Sequence, residues 1–574
     1  MRGWLASAIG AVVLYATLVV WLTWPLAAHL GTHLPDTRDP CRYDPLYMGW
    51  VLAYETHALT TAPGRFLDAN IFHPAERTLF YGDTGFGALP YFMPVMLATG
   101  NPTLALNLLF LGCIALTAAS LHLVAARTTG SAAAGFVAAT TFLTTRWVLW
   151  DFVATAPSYA TLQYFPWIVF LSARREGRAR DALRLVPLVV LQCLTDVVYL
   201  AAAVLVPLAT LAIVRILRSA TRRSGMQLLA VVAAALVALA PVYAGHLAVR
   251  GANPGLASQT IWRFTLLPTT LPWEPIWFRF QSPTTVTIAS LVLIAIGVAS
   301  LVLERRRQRE PVRLLWRGAA FWASAGLLFS LTPMLYWEKT PLRLPPSLVS
   351  LVSPFYRVVR SPERMRVATL IAVCLLAALA FARCTRRLAD RARLGGSAPL
   401  VRGAFAVGIA ALMYAQYSRG LLVPSVLGLK PLPRAYPIAP AIDGSSPLVA
   451  LLAAGSGPVL ELPVGKRRDL FAPVSHARAM YRSIHHWRPL LNGYDSYWPA
   501  EFPDRMALAG RLPAADALAA LRATTGLETI LVHLADLDPS ERAPWGELAE
   551  RHEDGSLRLI GRDGDDLLFA VGPR

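Results

Sequence analysis

The chain has 574 residues, of which 55% are hydrophobic and only 16% are charged, and its mean hydropathy is +0.46. A soluble chain carries roughly 25% charged residues, so this balance excludes an ordinary soluble protein and indicates a polytopic membrane protein in a lipid bilayer. The formal net charge is +19. The arginines, however, form short clusters between apolar runs and follow no single polar face, which argues against nucleic acid as a partner.

The first apolar run follows Met1 and Arg2 and extends to Trp24. This start resembles a secretory signal peptide. The run is about 20 residues long, however, and it lacks a small-x-small cleavage site before the next polar segment. We interpret it as a first membrane span that is not removed.

A polar loop rich in acids comes directly after this span, within residues 25–102. Most connections between helices are short, and a long loop that bears acids is usually functional. Asp44 is followed by Pro45, which is also typical of the start of a helix, here predicted over 45–60, so capping alone is an alternative role for Asp44. Capping explains less easily why Asp36, Asp39 and Asp44 fall within nine residues.

Further along the same loop, Asp68, Asn70 and His73 form a compact polar turn. These side chains are candidates for substrate binding. The alternative is that they fix the loop through bonds from side chain to backbone.

Spans of about 20 apolar residues predict eleven crossings. They lie near 4–24, 103–125, 131–149, 155–173, 184–196, 198–216, 226–248, 284–303, 314–332, 366–383 and 402–422. The apolar stretch 85–99 is interrupted by Pro90 and Pro94 and is predicted to be re-entrant or interfacial.

The pair 184–196 and 198–216 is either a hairpin or one long helix, and the arginine clusters discriminate between the two. A hairpin places the clusters near 174–180, 215–223, 305–309 and 383–393 on the side of the N-terminus, whereas one helix divides them between both faces. The positive-inside rule therefore favours the hairpin, with a cytoplasmic N-terminus and outer loops at 25–102, 249–283 and 333–365.

Arginines also precede the span at 366, on the predicted outer side, where the positive-inside rule disfavours them. Arg357, Arg360 and Arg364 are therefore candidates for binding a phosphate group. The alternative is that they snorkel to lipid headgroups.

Residues 430–574 differ from the membrane domain, which is predicted to span 1–425. Alternating hydrophobic residues predict strands at 458–462, 529–532, 557–560 and 567–571, and helical patterns fit 501–511, 513–524 and 540–551. The tail is therefore predicted to be a small α/β domain held outside the membrane.

Several segments together resemble the GT-C superfamily of multi-pass membrane glycosyltransferases. They are 44–53, 66–74, 100–102 with Asn107, 356–364, 459–463 and 489–494. The resemblance implies an α-helical polytopic fold in the inner membrane with an extracytoplasmic C-terminal domain. It also implies a bacterial enzyme that transfers a sugar from a polyprenyl phosphate to a glycan, lipid or protein. The base or metal-binding acid implied by the resemblance is Asp44, with Asp39 or Asp36 as alternates.

The sequence departs from the superfamily at one point. The adjacent Asp-Glu pair that protein O-mannosyltransferase-like members show in this loop is absent. The use of a divalent cation, Mg²⁺ or Mn²⁺, bound by Asp44 and Asp39 therefore stays open, as do the acceptor and the oligomeric state.

The competing hypothesis is a membrane protein that is not an enzyme, such as a transporter of lipid-linked saccharides or an assembly partner. Transporters usually bury charges in mid-membrane, and within the predicted spans Asp196 and His122 are the main candidates. The concentration of acids outside the spans favours the transferase. The transferase hypothesis predicts that the acids of the loop and the arginines of 357–366 share one cavity.

Overall fold

The computed structural model describes most of the chain. The described residues are 2–37, 43–175, 177–252, 286–303, 309–330, 334–337, 340–343, 362–393, 395–423, 431–442, 444–465, 473–551 and 556–572. Asp39, Arg357 and Arg360 lie outside these ranges, as does the predicted boundary between the two domains.

Thirteen helices precede residue 420 in the described part of the chain. They are α1 (Arg2–Leu22), α2 (Asp44–Thr61), α3 (Leu89–Thr99), α4 (Pro102–Thr129), α5 (Ala132–Leu143), α6 (Phe165–Ala173), α7 (Ala179–Thr195), α8 (Tyr199–Ile216), α9 (Arg222–Ala252), α10 (Ile288–Leu303), α11 (Glu310–Phe329), α12 (Val367–Arg391) and α13 (Ala398–Ser418).

Six helical segments of the described chain are long and apolar enough to cross a membrane. They are Leu5–Leu22, Pro102–Thr129, Tyr199–Ile216, Ser219–Ala252, Glu363–Arg391 and Gly395–Ser418. Others are shorter than predicted. Where spans were expected at 131–149 and 155–173, α5 ends at Leu143, a π-helical turn covers Trp147–Asp151, and α6 has nine residues. The prediction of eleven crossings stays a prediction.

The break between α7 and α8 falls where the hairpin was predicted to turn. Asp196 lies in this turn, and its Oδ1 accepts hydrogen bonds from the backbone N–H groups of Val198 at 2.8 Å and Tyr199 at 2.6 Å. The first amides of a helix have no hydrogen-bond acceptor within that helix, and Asp196 provides one for two of them. Asp196 therefore determines where α8 begins.

The two ends of the helix bundle differ in chemistry. At one end, Arg215 of α8 donates to the carbonyl groups of Ser172 at 2.7 Å and Arg174 at 2.9 Å, so two arginine clusters lie together. At the other end, the chain that leaves α13 returns to α1, where the amide of Tyr436 donates to the carbonyl of Trp24 at 2.9 Å. The acid-rich loop and the C-terminal residues lie at this second end.

The chain that follows α13 forms two short strands, and each pairs with a strand from an earlier segment; the second of them pairs with a strand of the acid-rich loop. β1 (His33–Pro35) pairs antiparallel with β6 (Ile438–Pro440), and β2 (Val286–Thr287) pairs with β5 (Leu422–Val423). A separate hairpin is formed by β3 (Met334–Trp337) and β4 (Thr340–Arg343).

The C-terminal residues 444–572 form an α/β layer around one four-stranded sheet, which we call the C-terminal α/β region. Its strands are β7 (Val459–Leu462), β8 (Thr529–His533), β9 (Leu557–Asp563) and β10 (Asp566–Val571), in the order β7-β8-β10-β9. β7 and β8 are parallel, and the other pairs are antiparallel. Its helices are α14 (Pro447–Ala453), α15 (Pro473–Ser483), α16 (Phe502–Ala509), α17 (Ala515–Thr525) and α18 (Pro539–Arg551).

Candidate functional site

The acid-rich loop is fixed against the C-terminal α/β region by the side chain of Asn70. Asn70 Oδ1 accepts from Trp50 Nε1 at 3.1 Å, and its Nδ2 donates to Ser483 Oγ and to the carbonyl of Arg488, both at 3.1 Å. Trp50 belongs to α2 and Ser483 to α15, so one amide joins two helices that are distant in sequence. Asn70 therefore has a structural role in the loop.

Asp68 and His73 make contacts of the same kind. Asp68 Oδ1 accepts from the amide of Arg77 at 2.8 Å, and His73 Nε2 lies 3.1 Å from the carbonyl oxygen of Thr525 in α17. Burial lowers the pKa of His73. These contacts agree with the alternative that the turn fixes the loop. Substrate binding by Asp68, Asn70 and His73 stays a prediction.

Asp44 lies in the first turn of α2 and is partly buried. The hydroxyl of Tyr494 donates to Asp44 Oδ1 at 3.1 Å. The Tyr494 ring packs edge-on against Tyr43 and Tyr47, with ring centroids 5.1 and 5.6 Å apart. The C-terminal α/β region thus provides the hydroxyl group that orients Asp44.

Tyr47 connects this contact to the end of the loop. Its hydroxyl donates to Asp495 Oδ1 at 2.8 Å and lies 3.4 Å from the carbonyl oxygen of Asp83. Burial, followed by the charges of Asp495 and Asp83, raises the pKa of Tyr47, so Tyr47 remains a neutral hydrogen-bond donor.

Arg364 lies just before α12 among aromatic rings. Its guanidinium carbon is 4.7 Å from the ring centroid of Phe152, 4.6 Å from that of Tyr199 and 5.9 Å from that of Tyr159. Cation–π contacts of this kind hold a guanidinium in place without neutralising its charge. Arg364 is partly exposed and interacts electrostatically with Asp83.

Asp196 is the second carboxylate beside Arg364. It is 2% exposed, and its Oδ2 accepts from the hydroxyl of Tyr159. The charges of Asp83 and Arg364 both act on Asp196. The α7–α8 turn, the acid-rich loop and the start of α12 therefore meet around Arg364.

Some of the predicted site residues are connected through contacts, and others lie apart or outside the described residues. Contacts lead from Asp44 through Tyr494 and Tyr47 to Asp83, and the charge of Asp83 acts on Arg364. Asp36 lies apart from this series, in the wall of a groove against the C-terminal α/β region. Asp39, Arg357 and Arg360 lie outside the described residues, so their roles stay predictions.

Sequence reasoning did not single out Asp83 as a partner of Arg364, nor Tyr159 and Tyr199 as the rings around it. Asp83 is the last acid of the loop, and Tyr199 adjoins the predicted hairpin turn. Their positions were visible in the sequence, but their proximity to Arg364 depends on how distant segments pack.

Glu55 of α2 is fully buried and contacts the chain two residues after Asp83. Glu55 Oε1 accepts from the amide of Gly85 at 3.2 Å, and Oε2 has no hydrogen-bond partner among the residues that the structure describes. Burial raises the pKa of Glu55 to about 8, although the bond from Gly85 partly opposes the rise. Neutral Glu55 therefore anchors the segment that carries Asp83.

We expect the thermal stability of the detergent-solubilised protein to reflect this raised pKa of Glu55. The folded protein holds the proton more tightly than the unfolded chain, whose value is 4.5, so the stabilisation is complete below pH 4.5 and is lost as pH rises through about 8. Between pH 6 and 9 the Tm of Glu55→Gln should fall less than that of wild type. Glu76→Gln, at an exposed acid of the same loop, is the control. Parallel curves for wild type and Glu55→Gln would contradict the prediction.

Within the described ranges, no group of three or more His, Cys, Asp or Glu residues is arranged to hold a metal ion. Asp44 and Asp39 were the predicted ligands, and Asp39 is not described. The described donors alone do not form a cage for Mg²⁺ or Mn²⁺, and a metal bound by Asp44 and Asp39 stays a prediction.

No protein-family model and no curated protein sequence matches the chain. Among solved structures, it is similar to the arabinofuranosyltransferase AftD from Mycobacteria, with a TM-score of 0.54 and 16% identity over 100% of this chain and 40% of that one. It is also matched to ArnT from Cupriavidus metallidurans in the apo state, with a TM-score of 0.43 and 14% identity over 100% of this chain and 99% of ArnT. The chain thus spans 40% of the length of AftD, and the similarity shows that it shares the fold of that part of AftD.

Proposed function

We propose, from the fold that the chain shares with part of AftD and from the resemblance of its sequence to the GT-C superfamily, that it is a membrane glycosyltransferase. Its donor is a sugar linked to a polyprenyl phosphate, and its acceptor is a glycan, lipid or protein outside the cytoplasm. The N-terminus faces the cytoplasm, and the acid-rich loop and the C-terminal α/β region face outward. The arginine clusters at the opposite end of the bundle support this orientation.

The observation that carries the proposal is the connection between Asp44 and Arg364 at one end of the bundle. A transferase of this kind needs a carboxylate that accepts the proton of the acceptor hydroxyl and a cation that binds the departing phosphate. Asp44 is partly buried and oriented by Tyr494, and Arg364 is partly exposed and held over aromatic rings. The backbone carbonyl of Asp83 lies 3.4 Å from the hydroxyl of Tyr47, whose ring packs against Tyr494, and the charge of Asp83 acts on Arg364.

In the proposed reaction, the acceptor oxygen forms a bond to the anomeric carbon while the bond from that carbon to the phosphate oxygen breaks. The proton of the acceptor hydroxyl moves to Asp44. The polyprenyl phosphate leaves with the bonding electrons, and Arg364 stabilises its negative charge. A single displacement inverts the configuration of the sugar, since the acceptor attacks the face opposite the phosphate.

The proposal is tested with membranes that contain the full-length chain. They are incubated with polyprenyl phosphates that carry radiolabelled arabinose, mannose or glucose, and membranes from cells without the chain are the control. We expect label to move from the carrier to a second product that only the chain-containing membranes form. Label that stays on the carrier with all three donors would favour the transporter or assembly partner instead. The same assay with EDTA tests for dependence on Mg²⁺ or Mn²⁺.

A further inference from the structure

A groove lies between the acid-rich loop and the C-terminal α/β region. Its volume is about 560 Å³, which is within the range of small-molecule sites. One wall comes from β1 and the start of α2, with Leu34, Asp36 and Leu46, and the other comes from α14, α15 and the β9–β10 turn. Pro45, which follows the proposed base Asp44 in the chain, is one of the lining residues.

Carboxylates outnumber guanidinium groups in the lining of the groove, three to two. Asp36, Asp563 and Asp566 line it together with Arg478 and Arg482. Both guanidinium groups already have carboxylate partners outside the lining. Arg478 Nη1 lies 3.0 Å from Asp536 Oδ2, and Arg482 Nη1 pairs with Glu461 Oε2.

These charges determine which ligand the groove suits. An anionic ligand would approach three carboxylates, and the two cations that could attract it are already paired. Carboxylate oxygens accept hydrogen bonds and guanidinium groups donate them, so hydroxyl groups can be bound from both kinds of side chain. Among the residues that line the groove, the apolar ones are aliphatic or proline, with no aromatic ring.

We propose that this groove binds a neutral, hydroxyl-rich saccharide, which is the acceptor of the proposed transferase. The inference rests on the proposed function, which it deepens by naming the acceptor class. A saccharide in the groove extends one hydroxyl past Pro45 to Asp44, while the donor phosphate binds at Arg364.

The test is the binding of full-length protein in detergent to an array of neutral, uronic-acid-bearing and phosphorylated oligosaccharides. Val474→Trp blocks the groove from α15, where Val474 is 41% exposed, so the substitution is compatible with folding. Ala450→Trp places the same ring at an exposed position of α14 outside the lining and is the matched control. Wild type and Ala450→Trp should bind the neutral oligosaccharides, and Val474→Trp should bind them at least about tenfold more weakly.

Three results would overturn the inference. They are binding of the anionic oligosaccharides alone, equal binding by Val474→Trp and Ala450→Trp, and no binding to any saccharide on the array. The array requires no turnover, so it is independent of the transfer assay. Groove-dependent binding without transfer from any donor contradicts the proposed function alone, and transfer without groove-dependent binding contradicts this inference alone.

Discussion

Purified Asp44→Asn protein should transfer sugar about 10²–10⁴-fold more slowly than wild type, because this is the usual contribution of a general base. The asparagine Oδ1 can still accept the hydrogen bond that Tyr494 donates to Asp44 at 3.1 Å. The substitution therefore removes the proton acceptor and leaves the contact with the C-terminal α/β region. The measurement is kcat with a saturating lipid-linked sugar that labels product in wild-type membranes.

Tyr494→Phe is the matched control for this prediction. It keeps the carboxylate and removes the hydrogen bond that orients it, so the expected loss is about 10- to 100-fold, because a hydrogen bond to a charged group contributes about 1.5–3 kcal/mol. Turnover of Asp44→Asn at the wild-type rate would exclude Asp44 as the base. Asp83→Asn would then be the next variant, because Asp83 is the carboxylate that acts directly on Arg364.

Local patterns in the sequence predicted much of the C-terminal α/β region. The strands expected at 458–462 and 529–532 are observed as β7 (Val459–Leu462) and β8 (Thr529–His533), and the helix expected at 540–551 is observed as α18. The alternation of apolar residues depends only on neighbours in the sequence, so it predicts strands without knowledge of the tertiary fold. The break between α7 and α8 was readable for the same reason.

The candidate site was only partly predictable. Arg364 was recognised because arginine is disfavoured on that side of a membrane, and Asp44 because of its loop. Asp83 and Asp196 interact with Arg364 because three segments that are distant in sequence pack together. No local sequence pattern predicts this packing. A loop-fixing role for Asn70 was among the alternatives from the sequence, but its partners, Ser483 and Arg488, lie in the C-terminal α/β region, so their identity was equally hidden.

Arg482→Ala should destabilise the C-terminal α/β region by about 3–5 kcal/mol, which is the usual cost of leaving a buried charge without its partner. The side chains of Arg482 and Glu461 are 12% and 3% exposed. Burial alone would raise the pKa of Glu461, but Arg482 and then His533 hold it at about 2. Glu461 therefore stabilises the fold above its unfolded value of 4.5, and this stabilisation is lost as pH falls through about 2.

Hydrogen exchange of the β7 and β8 amides in the full-length protein measures this loss near pH 7. Arg478→Ala is the matched control on the same helix, because Arg478 and Asp536 are 44% and 43% exposed and such surface pairs contribute only about 0–1 kcal/mol. Adding Glu461→Gln to Arg482→Ala should restore much of the stability, because it removes the charge that Arg482 compensated. Equal exchange in the two arginine variants would mean that the buried pair contributes no more to the sheet than an exposed one.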